Sequence, residues 1–286
     1  PRLALNAGET RLHVEGGRIS ASQRNEATIE LGRVRLVLYM PVCLDVEEMN
    51  LASTAPGEPH PLFAAQQWRP LTEYLEDLLP RLARCVNEPR SMRRANNKLI
   101  QLDVLRRNGI RLPSTAVSTG FPRQGLLAGR GSLIRKNVSE GGWKSETEFS
   151  PARLVGAEEA TDTALAIWQT PIAADYELRG YVMGEEVVFV RLEREAEITD
   201  VRVTRSGRPR AAIVAAEEGW KRQMLAAASA LGLAYAVIDA MPQGDDLVIL
   251  EVNANGVWWF LPDEVATLLE ARFHAFLDRL IARQGE

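Results

Sequence analysis

Three oxygen-bearing side chains lie in the last predicted hairpin of the chain. With Met241 opposite Leu247, the side chains of Asp239, Glu251 and Asn253 project from one face of the sheet, because alternate residues share a face. Their neighbours are apolar, so a charge there is costly unless it is paired or binds a cation. Carboxylate and amide oxygens suit Mg²⁺, and the hairpin therefore predicts a magnesium site. The alternative is a polar Asp239 near the turn and Glu251 on a solvent-exposed face.

Two lysines are candidates for binding phosphate groups. Lys136 ends an apolar strand and precedes a turn with Gly141 and Gly142, so its charge lies beside backbone amides that can turn toward an anion. Lys98 lies in a helical stretch, and basic residues far outnumber acidic ones between positions 81 and 111. The alternatives are an ordinary hairpin connection after Lys136 and a solvated helix face at Lys98.

Arg179 is a candidate for binding a phosphate or carboxylate group. It shares one strand face with Asp175 and Glu177 by the two-residue period of a strand. A guanidinium group can contact either ligand in bidentate fashion. The alternative is a surface ion pair with Glu177 or Glu186, which contributes little to stability.

The elements that hold these residues predict a mixed α plus β fold, not a doubly wound nucleotide fold. Hydrophobic periodicity and the Gly and Pro positions divide the chain. We predict a small sheet over 3–39, helices over 61–86, 91–108, 217–231 and 262–283, strands at 132–138 and 164–169, and hairpin turns at 183–186 and 242–246.

Composition excludes several classes of protein. The chain has 34 Lys plus Arg against 38 Asp plus Glu, a net charge of −4, which argues against a nucleic-acid binder held by counterion release. The uncharged stretch 224–238 is shorter than the roughly 20 residues of a membrane span, so we expect none. The chain opens at Pro1 without the pattern of a signal peptide. We expect a reducing, cytoplasmic setting without zinc or disulfides, because the candidate ligands are few and scattered: Cys43, Cys85, His13, His60 and His274.

The order and spacing of the motifs resemble those of the ATP-grasp ligases. NKLIQLDVLRRNGIRLP resembles the segment with the first nucleotide-binding lysine, and LIRKNVSEGG resembles the second lysine with its phosphate-covering loop. WQTPIAADYELR resembles the adenine-binding hinge and the substrate-side arginine. IDAM followed by LEVNAN resembles the metal-binding Asp, Glu and Asn.

Within that superfamily, VNEPRSMRRANNKLIQL, DYELR and EVNANGVWWF resemble the peptide-cyclising ligases of the microviridin or graspetide type. The resemblance covers residues 85–286. It implies an α+β ATP-grasp fold, in which two α+β subdomains grip ATP. The implied domains are a truncated pre-ATP-grasp domain at 1–88, a central or lid domain at 89–167 and a C-terminal domain at 168–286.

The resemblance also implies roles for individual residues. Those that would bind ATP are Lys98, Lys136, Gly141, Gly142, Gln169 and Asp175. Those that would bind Mg²⁺ are Asp239, Glu251 and Asn253. Arg179 and Arg202 would be catalytic, and Asp200 is the candidate general base. The chain departs from the family pattern in its hinge and after its metal motif, at Thr170, Pro171, Ala174 and Ala254.

The implied reaction begins with ATP-dependent activation of a side-chain carboxylate in a ribosomally made precursor peptide. The resulting acyl phosphate would be attacked by a Ser or Thr hydroxyl or a Lys amine, giving ester or amide macrocycles. The alternatives are a carboxylate–amine ligase of the glutamate-adding type and a non-catalytic peptide- or nucleotide-binding module. One expected partner is the precursor peptide, whose leader would lie along residues 81–111. The other is a second copy of the chain, which would bind through the apolar helix at 68–82. The alternative is that the apolar stripe of this helix packs against the chain's own sheet.

Overall fold

The computed structural model describes residues 10–15, 18–23, 28–39, 61–138, 152–159, 164–194, 209–215 and 217–283. The chain divides into two compact units, Pro1–Arg90 with Asp278–Glu286, and Ser91–Leu277. No helix within the described ranges is long and apolar enough to cross a membrane. The predicted three-domain division, at 1–88, 89–167 and 168–286, stays a prediction.

The first unit contains the predicted small sheet and the long amphipathic helix. Its elements are β1 (Thr10–Glu15), β2 (Arg18–Gln23), β3 (Ile29–Glu30), β4 (Leu36–Leu38), α1 (Pro61–Leu82) and β5 (Arg84–Val86). β1, β2 and β3 form an antiparallel sheet, whereas β4 and β5 pair in parallel. The helix predicted to reach residue 86 ends earlier, because residues 84–86 pair with β4 instead. Pro70 and Pro80 lie inside α1 without ending it.

The second unit begins where one predicted helix is in fact two, α2 (Pro89–Asn96) and α3 (Lys98–Arg107). The prediction of a single helix over 91–108 was therefore wrong. Asn97 separates the helices, since its side-chain oxygen accepts hydrogen bonds from the backbone N–H groups of Leu99 and Ile100 at 3.1 and 3.2 Å. This is an N-cap, and it makes Lys98 the first residue of α3.

A four-stranded antiparallel sheet, here called the lid sheet, follows α3. Its strands are β6 (Thr115–Thr119), β7 (Ser132–Lys136), β8 (Arg153–Gly156) and β9 (Leu165–Gln169), in the order β6-β9-β7-β8. The strands predicted near 132–138 and 164–169 are thus confirmed. One face of the sheet packs into a core formed by Leu127, Leu133, Val155, Ala166 and Trp168.

A five-stranded antiparallel sheet, here called the C-terminal sheet, carries the charged residues. Its strands are β10 (Tyr176–Met183), β11 (Glu186–Glu193), β12 (Ala211–Val214), β13 (Tyr235–Gln243) and β14 (Asp246–Asn253), in the order β12-β11-β10-β13-β14. Both predicted hairpins are confirmed. Each turns through two residues, with Gly184 and Gly244 in the left-handed conformation that favours glycine.

Two helices complete the second half of the chain, α4 (Glu218–Leu231) and α5 (Asp263–Ala282). Both agree with the predicted ranges to within a residue. α4 packs closely on β10, where a Cβ atom added to Gly180 would lie 3.0 Å from the sulfur of Met224. α4 ends at Gly232, whose φ of 71° provides the left-handed C-terminal cap. One face of the C-terminal sheet is therefore core, and the charged residues lie on the other.

Candidate active site

Two carboxylates lie directly opposite each other on β13 and β14. The predicted register, with Met241 opposite Leu247, was wrong by one residue, because Met241 pairs with Val248. A bulge between Asp239 and Ala240 adds a second one-residue shift, so that Asp239 pairs with Glu251 instead of the expected Ile249. The face assignment survives the error in register, since the total shift is two residues and alternate residues share a face.

Asn253 joins the two carboxylates on the same face. It pairs with Val237, two residues from Asp239, and its side-chain Nδ2 donates a hydrogen bond to Asp239 Oδ2 at 3.2 Å. The structure thus brings together the three residues proposed as metal ligands: Asp239, Glu251 and Asn253. Their role as ligands stays a prediction.

Arg179 forms a buried, bidentate ion pair with Asp239. Its Nε lies 2.6 Å from Asp239 Oδ1 and its Nη2 lies 3.0 Å from Oδ2. Both side chains are buried. Arg179 therefore does not form the surface ion pair with Glu177 or Glu186 that the sequence left open as an alternative. Glu186 forms an ion pair with Arg272, at 3.2 Å.

Burial alone would lower the pKa of the Arg179 guanidinium, but the charge and hydrogen bonds of Asp239 outweigh it and raise that pKa. The ring of Phe260 covers the other side of Arg179, with the guanidinium carbon 5.1 Å from the ring centroid. The arginine is therefore a permanent positive charge that is held between a carboxylate and an aromatic ring.

The two candidate lysines approach the same carboxylate from different elements. Lys98 Nζ, at the start of α3, lies 3.3 Å from Glu251 Oε1. Burial lowers the pKa of Lys136, and the charge of Lys98 lowers it further, whereas Glu251, Glu177 and Asp239 raise it. Lys136 is thus close enough to this cluster to sense each of its charges. Lys98 and Lys136 are thus the two ammonium groups at this site that a phosphate group could contact.

Gln169 lies beside Lys136 on one face of the lid sheet. Ile134 pairs with Gln169, and Lys136 pairs with Ile167, so all four side chains share the face opposite the core. Gln169 is buried, and its Nε2 donates a hydrogen bond to Thr115 Oγ1 at 3.1 Å. The face that carries Lys136 thus also carries two apolar side chains, Ile134 and Ile167.

Five predicted site residues remain, and the structure describes one of them. Asp175 is exposed just before β10. Four residues lie outside the described residues: Gly141, Gly142, Asp200 and Arg202. Their roles stay predictions.

A segment after β14 supports the charged face and was not predicted from the sequence. Tyr235 Oη donates a hydrogen bond to the carbonyl oxygen of Gly256 at 2.6 Å, and Tyr181 Oη donates to that of Val257 at 3.3 Å. Burial raises the pKa of Tyr181 to about 12, so this donor keeps its proton. A Cβ atom on Gly256 would lie 2.2 Å from Val237 Cβ, so only glycine fits there. In the sequence, the run NGVWWF was the feature from which this segment could have been predicted.

The donor set fits Mg²⁺ when phosphate oxygens complete it. The described residues contain no group of three or more His, Cys, Asp or Glu side chains arranged to hold a metal ion. Mg²⁺ is commonly bound by only one or two carboxylates together with substrate phosphates and water. Two carboxylates and an amide oxygen beside two lysines are such a set.

The sequence and the fold were each compared with known proteins. No family model matches the sequence. The chain is 29% identical over 180 residues to a probable alpha-L-glutamate ligase of Sodalis glossinidius (strain morsitans), an alignment that covers 59% of this chain and 60% of the relative. The chain thus spans about three fifths of the length of that curated relative.

Two solved structures share the fold. One is the macrocyclase MdnC bound with precursor peptide MdnA from Microcystis aeruginosa MRC, with a TM-score of 0.69 and 17% identity, covering 88% of this chain and 81% of that one. The other is a Chryseobacterium gregarium RiPP-associated ATP-grasp ligase in complex with ADP and a leader and core peptide, with a TM-score of 0.68 and 16% identity, covering 88% and 79%. The predicted α+β ATP-grasp fold is therefore confirmed.

Proposed function

We propose that this protein is an ATP-dependent ligase that cyclises a ribosomally made peptide through side-chain ester or amide bonds. The single observation that carries the proposal is the convergence of Lys98, Lys136, Arg179, Asp239 and Glu251 from separate elements of an ATP-grasp fold. The similarity to two structures solved with peptides supports the substrate class.

ATP is the proposed cosubstrate of this site. Lys98 and Lys136 would neutralise its phosphate groups, and the apolar face around Ile134 and Ile167 would contact its base. Gln169 and Asp175 would contribute polar contacts at the hinge. We propose that Gly141 and Gly142 cover the phosphates and exclude water, which otherwise hydrolyses the activated carboxylate.

Asp239, Glu251 and Asn253 would hold Mg²⁺ beside these phosphates. When bound, the cation supplies charge neutralisation for the transferring phosphoryl group. Arg179 would stabilise the negative charge that develops on the peptide carboxylate and the phosphoryl oxygens. The buried pair with Asp239 holds the guanidinium in place for that role.

The proposed reaction has two steps. A carboxylate oxygen of the peptide attacks the γ-phosphorus, the bond to the bridging oxygen breaks, and ADP leaves. A hydroxyl or amine then attacks the acyl carbon, Asp200 accepts its proton, and Arg202 orients the nucleophile. Inorganic phosphate leaves with one oxygen from the carboxylate, so the peptide loses one water for each bond formed.

A ligase that adds glutamate is the second candidate, and the identity to a probable alpha-L-glutamate ligase favours it. Both reactions pass through an acyl phosphate and use the same charged residues. The product separates them, because cyclisation lowers the mass of the peptide whereas glutamate addition raises it.

The test is phosphate release from Mg·ATP by the purified protein, with and without a short peptide that carries repeated Thr and Glu, followed by mass spectrometry of the peptide. We expect release that depends on the peptide, and a product that has lost one water per bond. Glu251→Gln should abolish both. Glu193→Gln, an exposed residue that pairs with Arg210 at 3.6 Å, is the matched control and should remain active. Release only with free glutamate would transfer the assignment to the second candidate.

The peptide leader, the oligomeric state and the compartment are further proposals. We propose that the leader docks along residues 81–111, where Arg93 and Arg94 are exposed. Unchanged affinity for the precursor after charge reversal at both positions would remove this surface. A homodimer through residues 68–82 and a cytoplasmic location complete the proposal.

A further inference from the structure

The side-chain amide of Gln101 is saturated with backbone partners. Its Nε2 donates hydrogen bonds to the carbonyl oxygens of Val252 at 2.7 Å and Ala95 at 2.6 Å, and its Oε1 accepts one from the N–H of Val252 at 3.0 Å. The residue is only 3% exposed. A buried amide is costly unless it is hydrogen-bonded, so these three contacts are what make glutamine tolerable there.

These contacts join three elements. Val252 lies between Glu251 and Asn253 on β14, the outermost strand of the C-terminal sheet among the described residues, so no described strand pairs with its outward N–H and C=O. The side chain of Gln101 supplies the hydrogen bonds that a neighbouring strand would otherwise make with this residue. Ala95 belongs to the last turn of α2, where carbonyl groups have no partner within the helix.

Gln101 also lies one turn after Lys98 on α3, and residues three apart are neighbours on a helix surface. Lys98 Nζ contacts Glu251, the residue next to Val252. The same amide therefore fixes both the helix that carries the lysine and the strand that carries the carboxylate.

We infer that Gln101 is a positioning residue that holds Lys98 and the strand bearing Glu251 and Asn253 at one spacing, so that a divalent cation and a nucleotide phosphate group bind together more tightly than either binds alone. The inference rests on the proposed function, since it concerns the same site. Gln101 acts through its neighbours and contacts neither ligand itself.

A second glutamine provides a matched control. Gln223 on α4 also bonds to the backbone of β14, since its Oε1 accepts from the N–H of Leu247 at 2.8 Å, and its Nε2 donates to Asp246 at 3.0 Å. Leu247 lies at the other end of the strand from Glu251. Replacing Gln223 therefore removes a comparable contact without touching the spacing of the site.

The experiment measures the affinity of the full chain for ADP by calorimetry, with and without Mg²⁺. In the wild-type protein, Mg²⁺ should strengthen ADP binding. In Gln101→Met, which keeps the length of the side chain but not its hydrogen bonds, we expect that enhancement to fall by roughly tenfold, within the usual range of coupling between two ligands. Gln223→Met should keep the wild-type enhancement.

Four results would overturn the inference. Equal losses of ADP affinity with and without Mg²⁺ would show that Gln101 only stabilises the fold, and unchanged ADP affinity in both conditions would show that it has no role. If the wild-type protein binds no ADP, or if Mg²⁺ does not strengthen binding, the proposed function itself fails and the inference fails with it.

A measurement on the wild-type protein covers the case in which Gln101→Met does not fold. Hydrogen exchange at the Val252 amide reports the contact with Gln101 directly. We expect ADP with Mg²⁺ to slow this exchange more than ADP or Mg²⁺ alone. Equal exchange in all three conditions would reject the inference.

Discussion

The C-terminal sheet and the lid sheet present opposite kinds of surface to the same site. Two ion pairs lie at the site on the C-terminal sheet: Arg179 with Asp239, and Glu251 with Lys98 of α3. The lid sheet instead carries Lys136 on a face with exposed apolar side chains. On that face, Leu154 is 53% exposed and Leu165 is 52% exposed. One surface is held in place by its own ion pairs, whereas the other has apolar area that a ligand could cover.

The difference predicts different responses to mutation. A charge removed from the C-terminal sheet leaves its partner buried and unpaired, so stability and binding fall together. An exposed residue removed from the open face of the lid sheet, such as Leu154, loses few contacts within the protein, so its removal should leave stability almost unchanged. Three pairs of variants and one single variant test this contrast, in order of decreasing effect on the free energy of unfolding.

Arg179→Met should have the largest effect, because it leaves the Asp239 carboxylate buried without its cation. We expect the free energy of unfolding to fall by about 3–5 kcal/mol. Urea denaturation measures the change. The control is Arg191→Met, whose exposed guanidinium lies over the ring of Tyr176 at 4.3 Å. Equal losses in the two variants would mean that burial of the Arg179 pair has no special importance.

Leu133→Ala and Leu154→Ala test the two faces of the lid sheet. Leu133 is fully buried in the core, and its removal should cost about 2–5 kcal/mol. Leu154 lies on the adjacent strand but on the open face, and its removal should change stability by no more than about 0.5 kcal/mol. Thermal unfolding distinguishes them. A comparable loss in both would show that the open face is packed.

Gly256→Ala tests the segment that closes over the C-terminal sheet. The added methyl group would collide with Val237, so we expect a loss of about 1–3 kcal/mol. Gly131→Ala in the lid region is the control, because a Cβ there would meet nothing within 4 Å. Val237→Ala should restore part of the lost stability in the Gly256→Ala background. No recovery would argue against this collision as the cause.

Lys136→Met should have the smallest effect on stability. Burial lowers the pKa of Lys136, so its ammonium form is disfavoured there and little stability is lost with it. We expect a change of no more than about 0.5 kcal/mol, together with a clear loss of ADP affinity. Calorimetry with ADP and urea denaturation separate the two effects. A large loss of stability would show that Lys136, like Arg179, makes contacts that stabilise the fold.

Local patterns predicted the hairpins and the shared face of the charged residues. Alternation over residues 176–193 and 235–253, with glycine at each turn, is a short-range signal. The bulge at Asp239 was not visible, because nothing in the alternation marks where a strand gains a residue. The helix break at Asn97 was marked by asparagine, an N-cap residue that also occurs within helices.

The contacts that organise the site could not be predicted from the sequence. Arg179 and Asp239 are 60 positions apart, and they meet only because β10 lies beside β13. Gln101 and Val252 are 151 positions apart. Such pairs depend on the order of strands and on helix placement, and no local signal in one sequence encodes them. The resemblance to a family supplied the fold without these contacts.

The central claim is that a peptide carboxylate is activated as an acyl phosphate. The most direct test uses the precursor peptide with heavy oxygen in its Asp and Glu side-chain carboxylates, and follows the label through one turnover by mass spectrometry. The account predicts one labelled oxygen in each released phosphate and none in ADP. Label in AMP, or unlabelled phosphate released alongside a cyclised peptide, would contradict it.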